Sequence, residues 1–457
     1  MTLSPTLLET LRATFGDARL VTDEAERLVY GYDNSRREAM PDAVVFPATH
    51  DEVVALMRAC RAARVPLVAR GRGTNTTGAS VPIAGGIVVS FERMNRIFAI
   101  DPANRIAVVE PGVLNADLQS ALKSHALFWP PDPTSAPYCT IGGNLACNAG
   151  GPRAVKYGAT RDNVLALRAV AGTGEEFRSG KPTTKGAAGY DLTRLLIGSE
   201  GTLAIITEAT LKLTPTPSAT RTMRATYASV EAAAGAVARI MAQPATPSAL
   251  EFLDDEALKL ARAHGGDAIP DAGAMLLIET DGDDATLDAS VDAIARAARV
   301  EGNLDIAIAA DASEVATLWA ARKALSPALR TLSPKKINED VVVPVSRIPE
   351  LVAAMRALSA EHGLPIVCFG HAGNGNIHVN LLPRNAAELA RAEACLDAVF
   401  ETVIRLDGTL SGEHGIGLAK RDFMPRAIDA DALALMRRVR AAFDPDRILN
   451  PGKLLPE

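Results

Sequence analysis

Arg70-Gly71-Arg72-Gly73-Thr74-Asn75-Thr76-Thr77-Gly78-Ala79-Ser80 follows the apolar run Leu67-Val68-Ala69 and decides how the first half of the chain is read. A glycine-rich loop at a strand's end exposes backbone N–H groups as an anion-holding nest, and glycines let a phosphate come close. It is not a Rossmann fingerprint, because Thr76 stands where the third glycine belongs. Nor is it a Walker loop, since the Gly-Lys-Ser/Thr ending is missing. Thr140-Ile141-Gly142-Gly143-Asn144-Leu145-Ala146-Cys147-Asn148-Ala149-Gly150-Gly151 and Gly198-Ser199-Glu200-Gly201-Thr202-Leu203 have the same character. One such loop is more often a structural turn. Three, each adjoining a strand, fit a large ligand whose diphosphate lies along the sheet edges.

Outward from this loop, a helix is expected over Pro5–Phe15 and a buried strand over Ala43–Phe46. Thr49-x-x-Glu52 reads as a capping box opening a helix through Val53, Val54, Leu56, Met57 and Cys60. Further strands are expected at Leu67–Ala69, Gly86–Val89, Ile106–Val109, Leu165–Ala171 and Leu203–Leu213. A helix falls near Asn115–His125, followed by an irregular stretch from Pro130 to Gly158. Thr214-Pro215-Thr216-Pro217 marks a boundary, since two prolines in a strand's tail break pairing and stiffen a linker. The domains are therefore 1–217, with its core at 41–217, and 218–457. Beyond the boundary short strands alternate with Ala-rich helices (Ser229–Met241, Ala285–Val300, Ile348–Glu361), an α+β pattern with its own sheet. A last helix over Ala430–Phe443 leads to Asn450-Pro451-Gly452-Lys453.

At 457 residues the chain is too long for one core. Its 48% hydrophobic content, net charge of −6 and dispersed Lys and Arg give no sign of a nucleic-acid partner. No apolar run approaches the roughly 20 residues that span a bilayer. The N-terminus lacks the basic and apolar regions of a secretory signal. Five cysteines with no Cys-x-x-Cys pair argue against a disulfide framework and against an iron–sulfur cluster. These features point to a cytoplasmic protein, or one peripheral to the inner membrane, and leave a homodimer open.

The second half carries Phe369-Gly370-His371-Ala372-Gly373-Asn374-Gly375-Asn376-Ile377-His378-Val379-Asn380 and Ser411-Gly412-Glu413-His414-Gly415-Ile416-Gly417. Asn374-Gly375 predicts a two-residue hairpin turn, which would set His371 directly opposite His378 with Cβ atoms roughly 5 Å apart. Two imidazoles converging on one cation, with Glu413 as a third ligand, leave coordination positions open, as in a catalytic metal site. A lone histidine beside a strand is usually a hydrogen-bonded core or surface residue. Here three of seven histidines fall in two glycine-rich segments, which favours ligation. Two imidazoles and a carboxylate suit Zn²⁺, and also Mn²⁺, Fe²⁺ or Co²⁺.

These motifs carry a resemblance. Arg70-Gly-x-Gly73-Thr74, Pro130-Pro131-Asp132-Pro133, Ile141-Gly142-Gly143-Asn144, Lys156-Tyr157-Gly158 and Gly198-Ser199-Glu200-Gly201-Thr202 are similar to the FAD domain of the vanillyl-alcohol oxidase / p-cresol methylhydroxylase superfamily. Gly370-His371, Gly375-Asn376-x-His378-x-Asn380 and Gly412-Glu413-His414-Gly415-x-Gly417 resemble its D-2-hydroxyacid dehydrogenase branch: D-lactate dehydrogenases, the catalytic subunit of glycolate oxidase and D-2-hydroxyglutarate dehydrogenases. The resemblance spans roughly residues 40–455. It implies an α+β fold with a two-subdomain FAD domain, a cap domain built on an antiparallel sheet, and a C-terminal tail returning to the flavin.

The resemblance also implies roles. Flavin contacts fall on Arg70, Gly71, Gly73, Thr74, Asn75, Gly78, Ala79, Ser80, Pro131, Asp132, Thr140, Gly142, Gly143, Asn144, Asn148, Gly150, Gly151, Tyr157, Gly158, Glu200, Gly201, Ile205 and Asn450. Asn75–Ala79 contain no histidine, which implies non-covalent FAD. His371, His378 and Glu413 match the metal ligands, His414 the base, Asn380 a substrate contact and Arg322 a carboxylate clamp. A 2-hydroxy acid chelating a cation would have its hydroxyl acidified, His414 would take that proton, and hydride would leave C2 for flavin N5. Taken alone, Arg322 reads better as a surface helix charge. Asn338 and Ser326 stand where D-2-hydroxyglutarate enzymes have Lys and Thr, with Lys336 two residues upstream, which shifts weight to D-lactate or glycolate. An external acceptor must then take the electrons: a quinone, a cytochrome, an electron-transfer flavoprotein or an iron–sulfur subunit. A non-enzymatic flavin subunit should lack the second-half histidines, and the alkyl-dihydroxyacetone-phosphate synthase branch carries a histidine run that is absent here.

Overall fold

The computed structural model describes residues 3–265, 269–333 and 335–456. The chain divides into two units: Met1–Gly150, Gly158–Thr216 and Glu413–Glu457 form one, Gly151–Tyr157 and Pro217–Gly412 the other.

The first unit contains a four-stranded sheet in the order Leu20–Val21, Ala43–Val45, Ile87–Ser90, Leu67–Arg70. Its last three strands run parallel and are largely buried, as Val-rich strands covered on both faces should be. Helices Pro5–Phe15 and His50–Ala63 bring Leu11, Phe15, Leu56 and Met57 into one core with Val45, Leu67 and Val89. Thr49 caps the second helix at Glu52 N, but the box is only half formed. The Glu52 carboxylate reaches Ala48 N and Arg19 instead.

A five-stranded antiparallel sheet follows, ordered Ile97–Asp101, Ile106–Val109, Ala204–Lys212, Val164–Ala171, Glu176–Gly180. Val170 and Ile205 reach the core of the first sheet. The stretch expected to be irregular holds two short helices, Ile141–Cys147 and Ala154–Tyr157. Thr140 Oγ1 caps the former at Gly143 N, 3.2 Å away, and Asn148 closes it in the left-handed region. The glycines hid that helix from a propensity reading. Pairing also persists into the proline segment, where Thr214–Pro215 meets Leu127–Phe128 in a two-stranded ribbon. Proline is tolerated at such an edge. The C-terminal tail returns to the open edge of the first sheet: Leu67 N donates to Ile448 O and Asn450 N to Leu67 O, each at 2.8 Å.

The second unit is built on a seven-stranded antiparallel sheet. Its order is Asn303–Ile308, Ala219–Tyr227, Ala274–Gly282, Ala249–Asp254, Ile366–His371, Asn376–Leu381, Ile337–Val342. Helices Asp255–Gly265 and Ala312–Leu332 pack on each other, and Leu258, Leu325 and Leu329 join Leu253, Val367 and Phe369 in one cluster. That packing brings Arg322 to the central strands.

Candidate functional site

Ile366–His371 and Asn376–Leu381 form the histidine hairpin, in a register two residues from the expected one. Phe369 faces His378, His371 faces Asn376, and Ala372–Asn374 make a 3-10 turn closed by Gly375 at φ +72°. The two-residue turn is thus corrected to one of four residues. The turn lies against Val343, whose N–H donates to Gly375 O, and a Cβ on Gly375 would stand 1.9 Å from Val343 O. A slip of two preserves every side chain's face. His371 and His378 remain neighbours, now diagonal, with ring centroids 5.3 Å apart.

Asp340, opposite His378 on the next strand, holds the approach to Glu413. Its buried carboxylate accepts from Ser411 Oγ at 3.0 Å and Gly412 N at 2.9 Å. Glu413 follows Gly412 by one peptide bond. One nitrogen from each histidine and one Glu413 oxygen lie within 4.8 Å of one another. Donors bound to one tetrahedral ion at about 2.1 Å stand roughly 3.4 Å apart. The residues fit a divalent metal.

Behind His371 lies Glu251, its register partner on the adjoining strand. Glu251 Oε1 is 2.5 Å from His371 Nδ1, while Oε2 accepts from Arg322 Nε at 2.8 Å and stands 2.7 Å from Nη2. Burial pushes the Glu251 carboxyl up, but His371 and Arg322 outweigh it and hold it at about 2. Arg322 also lies over the Phe369 ring, 4.7 Å from its centroid. The residue expected as a surface charge or a substrate clamp therefore already has a buried anionic partner. Asn380 departs further from its expected role. It is fully buried, donates to Val367 O and His378 O, and accepts from Asn338 Nδ2 at 2.6 Å. Its amide braces the hairpin. Lys336 Nζ donates to Ser326 Oγ at 3.0 Å.

His414 and the loop after it are held within the first unit. Asn75 Nδ2 donates to His414 O at 2.9 Å, while Asn75 Oδ1 accepts from Thr77 N and Ala79 N and so sets the first glycine loop. Glu200, buried and itself in the left-handed region, accepts from Ile416 N at 2.6 Å and Gly417 N at 2.8 Å. Gly415, at φ +86°, has no room for a side chain, since a Cβ would lie 2.6 Å from Glu200 Oε1. Burial pushes the Glu200 carboxyl up to about 7 against those amides and against Lys453 and Lys420. Asn450 Nδ2 bonds both Ala79 O and Glu200 O, and its Oδ1 accepts from Lys453 Nζ. Burial lowers Lys453 to about 8. Glu200 and Asn450, expected at the flavin, spend their side chains on bracing the loops.

The three glycine segments come together. Gly198 N and Glu200 N donate to Leu145 O and Ala146 O, and Gly71 approaches Thr140. Gly71, Gly73, Thr74, Gly142, Gly143 and Asn148 stay partly exposed, as backbone offered to a ligand would be. That arrangement suits a large phosphate-bearing cofactor. Gly78, Ala79, Ser80, Thr140, Asn144, Gly150, Gly201 is partly or fully buried around it, with Pro131 O and Asn144 Oδ1 both bonded to Asn115 Nδ2. Two expected contacts point elsewhere. The Arg70 guanidinium is buried against Tyr32 O and Val29 O. Tyr157 belongs to the second unit, where its hydroxyl donates to Asp281 at 2.8 Å and Lys156 pairs with the same carboxylate.

Sequence reasoning missed Glu251, Asp340 and Asp281. Glu251 had a signal: it is an acid between Leu250 and Phe252 inside an apolar strand, where an unpaired charge is not tolerated. Asp340 sits beside Glu339 and had none.

Residues 216–454 match the family described as "FAD linked oxidases, C-terminal domain", and 41–180 that described as "FAD binding domain". The chain is 41% identical to glycolate oxidase subunit GlcD of Bacillus subtilis over 98% of its length and 96% of that protein's. It is 33% identical to a D-lactate dehydrogenase of Anaerostipes hadrus, covering 99% and 98%. It is 35% identical to a D-2-hydroxyglutarate dehydrogenase of Xanthomonas citri pv. viticola, covering 95% and 94%. Among solved structures, p-cresol methylhydroxylase shares the fold at a TM-score of 0.81, with 16% identity over 98% of this chain and 96% of that one. Among the described residues no helix is long and apolar enough to cross a membrane.

Proposed function

Because the chain belongs to the family of FAD linked oxidases, we propose that it oxidises a small D-2-hydroxy acid to the 2-oxo acid, with FAD held non-covalently and one divalent metal, Zn²⁺ by preference. The observation that carries this reading is the convergence of His371, His378 and Glu413 immediately before His414. FAD supplies the acceptor for the hydride that leaves C2. The metal supplies Lewis acidity toward the substrate hydroxyl. His371, His378 and Glu413 hold that cation, and His414 takes the hydroxyl proton as base. Arg322 spends Nε and Nη2 on Glu251, which leaves Nη1 for the substrate carboxylate. Electrons then pass to an external acceptor.

D-lactate is the preferred substrate. Asn338 and Lys336, the two groups nearest a second-carboxylate role, are engaged with Asn380 and Ser326, which weighs against D-2-hydroxyglutarate. Glycolate is the second reading, favoured by the identity with the glycolate oxidase subunit. Anaerobic mixing with D-lactate, L-lactate, glycolate and D-2-hydroxyglutarate tests this: D-lactate or glycolate should bleach the flavin fastest. Faster bleaching by L-lactate or by D-2-hydroxyglutarate overturns the assignment. Acid precipitation should release the flavin into the supernatant, and flavin retained in the pellet would refute non-covalent binding.

A further inference from the structure

The second unit contains a buried carboxylate that bonds two residues of the proposed site. Glu251 is fully buried, and its two oxygens point in different directions: Oε1 to His371 Nδ1 at 2.5 Å, Oε2 to Arg322 Nε at 2.8 Å. A carboxylate can only accept, so His371 must carry its proton on Nδ1 when neutral. The lone pair is then on Nε2, the nitrogen on the far side of the ring from Glu251. Arg322 cannot lose its proton, so Glu251 keeps a permanent cationic partner and remains an acceptor. Arg322 in turn lies over Phe369, whose ring centroid is 5.8 Å from that of His378, so the cluster braces both histidines.

We propose that Glu251 is a positioning residue. It fixes His371 as an Nε2 ligand and anchors Arg322, so that metal affinity and carboxylate recognition depend on one buried charge. This rests on the metal reading above. Glutamine at this position has one oxygen and one NH₂ group. It can accept from His371 or from Arg322, but its NH₂ repels whichever donor remains. Carboxylates behind metal-bound histidines set the tautomer and typically contribute 10- to 100-fold in affinity.

The test uses full-length, FAD-loaded protein stripped by chelator and titrated with Zn²⁺ alone, comparing wild type with Glu251→Gln. The proposal expects Zn²⁺ binding weakened by roughly 10- to 100-fold. FAD content should be unchanged, and KM for D-lactate should rise alongside. Equal Zn²⁺ affinity in a folded variant overturns the role of Glu251 while sparing the metal site. Failure of wild type to bind Zn²⁺ overturns the metal reading, and this proposal with it. Should Glu251→Gln not fold, ¹⁵N NMR of the wild-type Zn²⁺ form decides. The resonance that disappears in His371→Ala must show a proton on Nδ1 and the metal on Nε2, and the reverse arrangement refutes the proposal.

Discussion

Glu251 and Glu200 are both buried carboxylates beside the residues proposed to do the chemistry, and they are stabilised by opposite means. Glu251 is met by side chains, a guanidinium and an imidazole, which hold it at about 2 despite burial. Glu200 is met by two backbone amides, with Lys453 and Lys420 acting from further away, and burial carries it to about 7. The cations in contact with Glu251 outweigh its burial, whereas the two amides at Glu200 do not. The second unit therefore holds a permanent anion behind His371. The first unit holds the loop after His414 with an acid whose charge depends on pH near neutrality.

The comparison can be broken most forcefully at Glu251. Glu251→Leu strands Arg322 without its partner and should cost about 3–5 kcal/mol in urea unfolding. Glu251→Leu with Arg322→Met should recover most of that loss, because an apolar pair of similar volume replaces a buried ion pair at little net cost. Failure of the double variant to recover would mean that Glu251 acts through His371 more than through Arg322. Arg322→Ala should lower kcat/KM for D-lactate by about 2–5 kcal/mol, as removal of a buried carboxylate partner does, and Arg322→Lys should rescue only partly. An unchanged kcat/KM would make Arg322 purely a partner of Glu251.

The Glu200 side is sharpened by pH. Its folded-state value lies above the ordinary 4.5, so the unfolded chain loses the proton first. Stability therefore falls as pH rises from about 4.5 through about 7. The fall is roughly 3 kcal/mol for a shift of this size. Glu200→Gln should remove that share of the slope between pH 5 and 8 and leave the share of buried Asp254, which burial also carries to about 7. An unchanged slope would show that the two lysines already compensate the charge. The smallest effect is expected at Gly415→Ala, about 1–3 kcal/mol, from its positive φ and its approach to Glu200. Glu200→Gln should not relieve it, since the backbone strain stays.

Much of this was readable in the chain. Helices Pro5–Phe15 and Ala430–Phe443 fall where their apolar period and caps put them. The hairpin's faces followed from strand alternation alone, whereas its register did not. Asn374-Gly375 is a genuine turn signal, but Val343 lies against Gly375 and the turn takes four residues. Long-range packing of that kind leaves no mark on local sequence. The same limit explains Glu200, Asn380 and Tyr157, which are polar residues in the expected motifs whose partners lie up to 250 residues away. Motif and spacing identified which segments meet. They did not distinguish side chains that face a ligand from those that hold the segments in place.

The most direct test of the central claim is the rate of anaerobic flavin reduction by D-lactate in metal-loaded and chelator-stripped protein, with FAD occupancy monitored throughout. The account predicts rapid bleaching in the loaded enzyme, none in the stripped enzyme with its FAD still bound, and recovery on adding back Zn²⁺ or Mn²⁺. Equally fast bleaching by the metal-free protein would contradict it, for then His371, His378 and Glu413 would not be holding a catalytic cation.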